Sequence, residues 1–243
     1  MKRFFILVLT MITTCITFSS CSGFESTSKE TISMVENPPP PLMCYEVTDT
    51  KCNIIPYDHV DAARIEVMTV VRNTGNVNIY LEQCKFDIYD ESNKLIDVIQ
   101  HVDVHTEVIA PGEFAVYYGV KTFNGDVDGN YVARPVVNVY TSRVEIIRYA
   151  VDDVTVRSTT LDYLNIIGTV TNNTDVNVKQ WKVSVIMFDK DEKVLGAVTG
   201  YMTDALDAGE KTSFTVTHFE GSIDSDLVDS VYVVAYPHQY QIN

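Results

Sequence analysis

The chain is predicted to be all-β, with two tandem β-sandwiches of about 100 residues each behind a signal peptide and a flexible tether. Three observations predict it. Val71-Arg72-Asn73-Thr74-Gly75-Asn76-Val77-Asn78-Ile79 aligns without gaps with Val170-Thr171-Asn172-Asn173-Thr174-Asp175-Val176-Asn177-Val178, and the same register carries Asp90 onto Asp189 and Lys94 onto Lys193. After a slip of two residues Pro111-Gly112-Glu113 meets Ala208-Gly209-Glu210 and Tyr117 meets Phe214, and near the ends Val139-Tyr140 matches Ala235-Tyr236. Such agreement in order, spacing and residue type marks an internal repeat. Within each copy, apolar residues recur with the period of two that a strand with one buried face requires. Turn chemistry (Asn-Thr-Gly, Glu-Ser-Asn, Pro-Gly-Glu, Asn-Gly-Asp) separates the alternating runs at short intervals.

At the amino end Lys2 and Arg3 precede an apolar run from Phe4 to Ile16 and then small residues. This is the pattern of a secretory signal peptide over residues 1–20, too short for a spanning helix, which needs about 20 apolar residues. Phe18-Ser19-Ser20-Cys21-Ser22-Gly23 resembles the lipobox of bacterial lipoproteins, although Phe18 stands where Leu is usual. That resemblance implies an acylated Cys21 as the membrane anchor. Residues 21–43 read as a tether, rich in Ser, Thr and Glu and ending in Pro38-Pro39-Pro40-Pro41, an extended spacer of about 3 Å per residue.

The first sandwich is expected over residues 44–141 and the second over 142–243. Leading strands fall near Glu46–Ile55 and Glu145–Val156. In copy one Cys84, Phe86 and Ile88 alternate with Gln83, Lys85 and Asp87, and further strands are expected at Arg64–Val71, Lys94–Val102, Glu113–Lys121 and Tyr131–Tyr140. Copy two repeats this with Trp181, Val183, Val185 and Met187, then Tyr163–Thr171, Lys193–Tyr201, Lys211–His218 and Ser230–Tyr236; Ile186 makes its outer face less polar.

The strings Asn73-Thr74-Gly75, Phe86-Asp87-Ile88-Tyr89-Asp90 and Ala110-Pro111-Gly112-Glu113 resemble the FxLYD domain of bacterial exported proteins and lipoproteins, with Ile88 where Leu is usual. Copy two keeps Asn172-Asn173-Thr174, Phe188-Asp189 and Ala208-Gly209-Glu210 and has Val185 in place of the leading Phe. The resemblance covers most of each half. It implies immunoglobulin-like sandwiches in an envelope protein and carries over no catalytic residues. Physically, Phe86 and Ile88 face a core, Asp90 and Asp189 accept backbone N–H groups of the following turn, and Gly112 and Gly209 allow positive φ. Tyr89 and Phe188 face the opposite side, where a sheet face or a domain interface would cover them.

The chain carries 18 basic and 33 acidic residues; without the signal peptide 16 basic residues remain, a net charge of −17. Binding to nucleic acid or anionic headgroups is thereby disfavoured. His101, Asp103 and His105 alternate on one strand face, two imidazoles and a carboxylate that suit a transition metal, although copy two has no His there. Asn124, Asp126 and Asp128 in Asn124-Gly125-Asp126-Val127-Asp128-Gly129-Asn130 resemble half of a calcium loop, without the closing Glu. Cys44 and Cys52 could close a short disulfide loop; a bond to Cys84, otherwise a core residue, is the other pairing. Trp181, Tyr117, Tyr118 and Tyr201 are candidate contact aromatics. No cofactor motif, Gly-x-Ser-x-Gly, His-Glu-x-x-His or Cys-x-x-Cys occurs. The expectation is a lipid-anchored, extracytoplasmic, non-catalytic binding or scaffold protein, its partners the membrane and an envelope or cell-wall component. The alternative is a zinc- or calcium-binding surface lipoprotein.

Overall fold

Strands form where the two-residue period runs in the computed structural model, which describes residues 40–57, 62–123, 129–159, 163–218 and 223–238. The first copy contains β1 (Tyr45–Pro56), β2 (Ala63–Asn73), β3 (Ile79–Tyr89), β4 (Leu95–Ile99), β5 (Asp103–His105), β6 (Val108–Ile109), β7 (Phe114–Phe123) and β8 (Val132–Thr141). The second contains β9 (Ala150–Ser158), β10 (Leu164–Thr171), β11 (Trp181–Phe188), β12 (Val194–Met202), β13 (Lys211–His218) and β14 (Ser230–Pro237), with a short 3₁₀ turn at Ser225–Leu227.

All named pairings are antiparallel. Copy one faces a sheet of order β1-β2-β7-β5 with one centred on β3, which pairs β8 along one edge and β4 and β6 at opposite ends of the other. Copy two faces a β13-β10-β9 sheet with a β12-β11-β14 sheet. Each pair of sheets encloses its own apolar core. Phe86, Ile88 and Tyr117 are sealed in the first with Cys84; Trp181, Val183, Val185 and Met187 are sealed in the second. The fold is therefore all-β, two sandwiches in tandem, and both lie within one compact body, Pro40–Asn243.

The repeat holds at the level of backbone irregularities. Asp49 in β1 and Asp153 in β9 have φ of 48° and 57° beside matching register shifts. Asn93 and Glu192 (64° and 60°) turn the two hairpins, and Gly112 and Gly209 (83° and 75°) turn the two Gly-Glu corners. Asp90 Oδ1 accepts from the Ser92 hydroxyl (2.7 Å) and the Lys94 N–H (2.9 Å). Asp189 Oδ1 likewise accepts the Asp191 and Lys193 N–H groups, both at 2.9 Å. These bonds favour the ionised form, chiefly the Ser92 hydroxyl for Asp90 and the Lys193 N–H for Asp189, and hold both carboxyls below the ordinary value of 3.8.

The two motif asparagines are buried and spend every polar atom. Asn73 Nδ2 donates to the carbonyls of Val77 (2.8 Å) and Ile109 (3.1 Å), and its Oδ1 accepts the Gly75 N–H (3.0 Å). Asn172 Nδ2 donates to Val176 (2.9 Å) and Leu206 (3.1 Å), and its Oδ1 accepts the Thr174 N–H (3.1 Å).

Three departures from the sequence expectation have physical causes. The run expected as one strand over Lys94–Val102 ends at Ile99; the chain then crosses to the other sheet, where β5 pairs β7. Cys44 and Cys52 are free thiols, not a disulfide: Cys52 lies within β1 and Cys44 immediately precedes it, and eight residues of strand separate their Cα atoms by roughly 25 Å, far beyond the ~6 Å of a disulfide. Cys84 is also free, and burial pushes its thiol up to about 12 and that of Cys52 to about 11, so neither is a nucleophile near neutrality. Pro40–Met43, read as tether, is strapped to the Asn73–Asn76 loop. Leu42 N–H donates to Asn76 Oδ1 (2.6 Å), Asn76 Nδ2 to the Pro40 carbonyl (3.0 Å), and the Thr74 and Gly75 N–H groups to the Cys44 carbonyl (3.0 Å each).

Asn73→Ala or Asn172→Ala strands two buried carbonyls and is expected to cost about 2–4 kcal/mol in urea unfolding. Because the folded chain favours the Asp90 and Asp189 carboxylates, their stabilisation is complete above the ordinary carboxylate value and is lost as pH falls through their lower folded values. Asp90→Asn with Asp189→Asn should flatten that acid limb of a stability–pH profile; an unchanged slope would show that the hairpins do not contribute.

Candidate functional site

Outer faces of strands normally meet water, yet here one from each sandwich does not. Met68 and Val70 of β2 and Val116 and Tyr118 of β7 bury against Ile186 of β11 and Val194 and Ala197 of β12. Phe188 adds to one end of this junction with an edge-on contact to Phe114 (5.9 Å), which also tilts against Tyr232 at 5.1 Å. Phe188 thus covers a domain interface. Tyr89, its counterpart, lies instead under the Arg134 guanidinium, 4.3 Å from the ring centroid.

At the other end of the junction is a cavity of about 350 Å³ walled by both sandwiches, with Asp103, His105, Glu107 and Tyr118 from the first and Lys182, Thr199, Tyr201, Thr217 and His218 from the second. Local structure explains how these polar groups arrive there. Val102 and Val104 pack on the first core, which turns Asp103 and His105 outward, toward the second sandwich. Thr106 follows with φ of 86°, a strained value for a β-branched residue, and swings the chain back to β6. On β11 the alternation that buries Val183 and Val185 in the second core presents Lys182, Ser184 and Ile186 to the first sandwich.

A hydrogen-bonded chain crosses the junction. His105 Nδ1 and Thr199 Oγ1 share a bond of 2.7 Å, Thr199 and Ser184 one of 2.9 Å, and Ser184 and the Tyr236 hydroxyl one of 3.0 Å. Beside it Lys182 Nζ, almost fully buried, donates to Glu107 Oε1 at 2.7 Å and lies 5.2 Å from the Tyr201 ring centroid. Tyr118 sits between two imidazoles, with centroids 6.4 Å from His105 and 6.5 Å from His218. His105 is 3% exposed, and its Nε2 and the Thr106 hydroxyl are buried without a hydrogen-bond partner. Burial, with His218 adding to it, pushes the His105 imidazole down to about 3, so it is neutral at physiological pH. The segment joining the sandwiches is also fixed. Ser142 N–H donates to Asn78, Tyr149 N–H to Ala235 (2.8 Å each), and Arg148 Nη2 donates to the Val108 carbonyl (2.7 Å) while its guanidinium lies 5.7 Å from the Tyr236 ring centroid.

The residues singled out in the sequence are distributed as follows. Asp103 and His105 share the cavity wall, but His101 is exposed and does not line it, so the three do not converge. Among the described residues no three His, Cys, Asp or Glu side chains are grouped to hold a metal ion. Cys21, Asn124, Asp126 and Asp128 lie outside the described residues. Trp181 and Tyr117 are core residues, Tyr118 belongs to the junction, and Tyr201 is 63% exposed at the cavity mouth. Thr199, Ser184, Lys182 and His218 are missed by motif reasoning. A signal for the junction does exist: Val70, Val116, Tyr118 and Ile186 occupy the places of Thr169, Ser213, Thr215 and Asp87 in the other copy.

No family model matches the chain. No curated protein matches it either. Among solved structures, red sea bream transglutaminase is similar at 15% identity and a TM-score of 0.21, over 71% of this chain and 27% of that one. The chain thus spans about a quarter of that structure's length, and the likeness assigns no activity.

Replacing Ile186 with Asp, the residue at the same place in copy one, buries an unpaired carboxylate in the junction and should cost about 3 kcal/mol or more. Calorimetry should then show the two sandwiches melting as separate transitions. A single transition displaced as a whole would mean that the sandwiches do not unfold independently.

Proposed function

We propose that the chain is a lipid-anchored, extracytoplasmic protein of a bacterial cell envelope whose two FxLYD-like sandwiches form a rigid, non-catalytic binding or scaffold unit. The observation that carries this reading is the use to which the reactive side chains of the junction are put. His105, Thr199, Ser184 and Tyr236 bond to one another, and Lys182 bonds to Glu107. These groups hold one sandwich on the other, as a unit that presents a surface at a fixed geometry requires. The strapped residues Pro40–Met43 support the same reading, because they are held on the Asn73–Asn76 loop of the first sandwich. Support for the address comes from the signal-peptide pattern and the lipobox-like string around Cys21. An acyl chain contributes about 0.8 kcal/mol per buried methylene, and several chains on one cysteine would anchor the protein stably.

Expression of the full chain in a bacterium tests the anchor. The protein should enter the detergent-rich phase on phase separation, and Cys21→Ala should move it to the aqueous phase. Mass spectrometry of the wild-type amino-terminal peptide should show an acylated cysteine. Aqueous partition of the wild type, or an unmodified Cys21, would overturn the proposed address.

A further inference from the structure

We propose that the junction is an acid-operated hinge, in which protonation of His105 separates the two sandwiches while each stays folded. The inference starts from hydrogen-bond capacity. A neutral imidazole offers one donor and one acceptor. Nδ1 is engaged by Thr199 Oγ1, and Nε2 is buried with no partner, whichever nitrogen holds the proton. A second proton makes both nitrogens donors, and the resulting cation, on a side chain 3% exposed, has one N–H aimed at no acceptor.

The surroundings do not compensate such a cation. From β7 it faces the Tyr118 phenol, and from β13 the His218 imidazole, whose own protonation would repel it. From β11 comes the Lys182 ammonium, already paired with the Glu107 carboxylate that follows β5. Asp103 on β5 itself and the Tyr201 phenol of β12 complete the ionisable groups on the shared cavity wall, and Asp103 is exposed. The cavity also gives protons and water a route to the junction. His105 itself sits between the sandwiches, on the wall they share, so the device acts between them and not within them.

The sign follows from linkage. The closed junction binds fewer protons than the open one between the lowered His105 value of about 3 and the ordinary 6.5, so closure is favoured above 6.5 and lost as pH falls below it. From about pH 7.5 to about pH 4.5 the ratio of open to closed molecules should rise about 100-fold.

Two methionines make the test internal. Met68 is buried in the junction and Met187 in the second core. Hydroxyl-radical footprinting of the full chain in detergent micelles, read by mass spectrometry, should show Met68 oxidation rising strongly on acidification while Met187 stays protected. His105→Asn, which retains a polar atom near the Nδ1 position, should abolish the rise, and His218→Gln should retain it. Parallel exposure of Met68 and Met187, a flat Met68 profile in the wild type, or a response that survives in His105→Asn or vanishes in His218→Gln overturns the proposal. Should His105→Asn expose Met68 already at neutral pH, deuterium exchange at the imidazole C2 carbon of each wild-type histidine decides. His105 must then titrate together with Met68 exposure, and an ordinary titration near 6.5 with Met68 still protected overturns the hinge.

Discussion

Everything in each sandwich depends on one buried amide. Asn73 is the last residue of β2 and Asn172 the first beyond β10. There the chain must leave one sheet and enter the other while the far corner of the domain closes over the same point. Three backbone segments converge there, and each has polar groups that strand pairing leaves over. The asparagine amide answers all of them: Nδ2 to two carbonyls, Oδ1 to an N–H in the following loop. Its own backbone binds the Gly-Glu corner on both sides, Asn73 N–H to Glu113 and Gly112 N–H to Asn73, with the same pair at Asn172, Glu210 and Gly209. A carboxylate there could not donate and a hydroxyl could not span the gap, so the position admits little but asparagine.

That constraint explains what was legible in the sequence. Residues tied to it, the Asn-x-Thr or Asn-x-Gly loop and the Gly-Glu corner, recur in both copies, as does the Asp that starts each hairpin. The alternation of Phe86 with Ile88 and of Val183 with Val185 places the cores directly. Two features were hidden for opposite reasons. Motif reasoning reached Phe188 and Ile186 but not the rest of the junction, because an apolar outer face looks like a core face; comparison of the copies, Ile186 against Asp87 or Tyr118 against Thr215, separates the two. The Cys44–Cys52 pairing follows from proximity in sequence, although the strand predicted near Glu46–Ile55 already extends the chain between the two thiols. Gly75 belongs with the hidden features. A Cβ there would lie 2.3 Å from the Leu42 carbonyl oxygen and 2.7 Å from Cys44 N, so glycine is required only where the strap passes. Thr174 at the corresponding place in copy two donates its hydroxyl to Asn172 Oδ1 instead.

The same comparison separates the docked faces from the free ones. Sandwich two docks the outer face of β11 on the outer face of β2 and β7, and a third sandwich could in principle repeat the contact at either end. Both free faces are built against it. The face of β3 that corresponds to β11 carries the Lys85–Asp87 ion pair (2.9 Å) and Arg134 stacked on Tyr89. The face of β10 and β13 that corresponds to β2 and β7 carries Thr169, Ser213 and Thr215, with Lys211 within 3.7 Å of Asp152.

The junction also shows why the copies had to differ in backbone and not only in side chains. A positive φ at a β-branched residue such as Thr106 is costly, and among the described residues of copy two no β-branched residue has one. The one at Thr106 closes the detour in which the strand after β3 ends early at Ile99 and the chain crosses to β7 as β5, setting His105 on the outer surface, and it returns the chain to β6. In copy two the corresponding strand, β12, runs unbroken from Val194 to Met202. Thr199 and Tyr201, the residues that meet the first sandwich, sit on that unbroken length. A crossing in copy two would remove them, and a continuous strand in copy one would leave His105 out of reach of Thr199. Strain in one copy and regularity in the other are therefore two halves of a single contact, and the polar chain from His105 to Tyr236 exists only because the repeat is broken on one side.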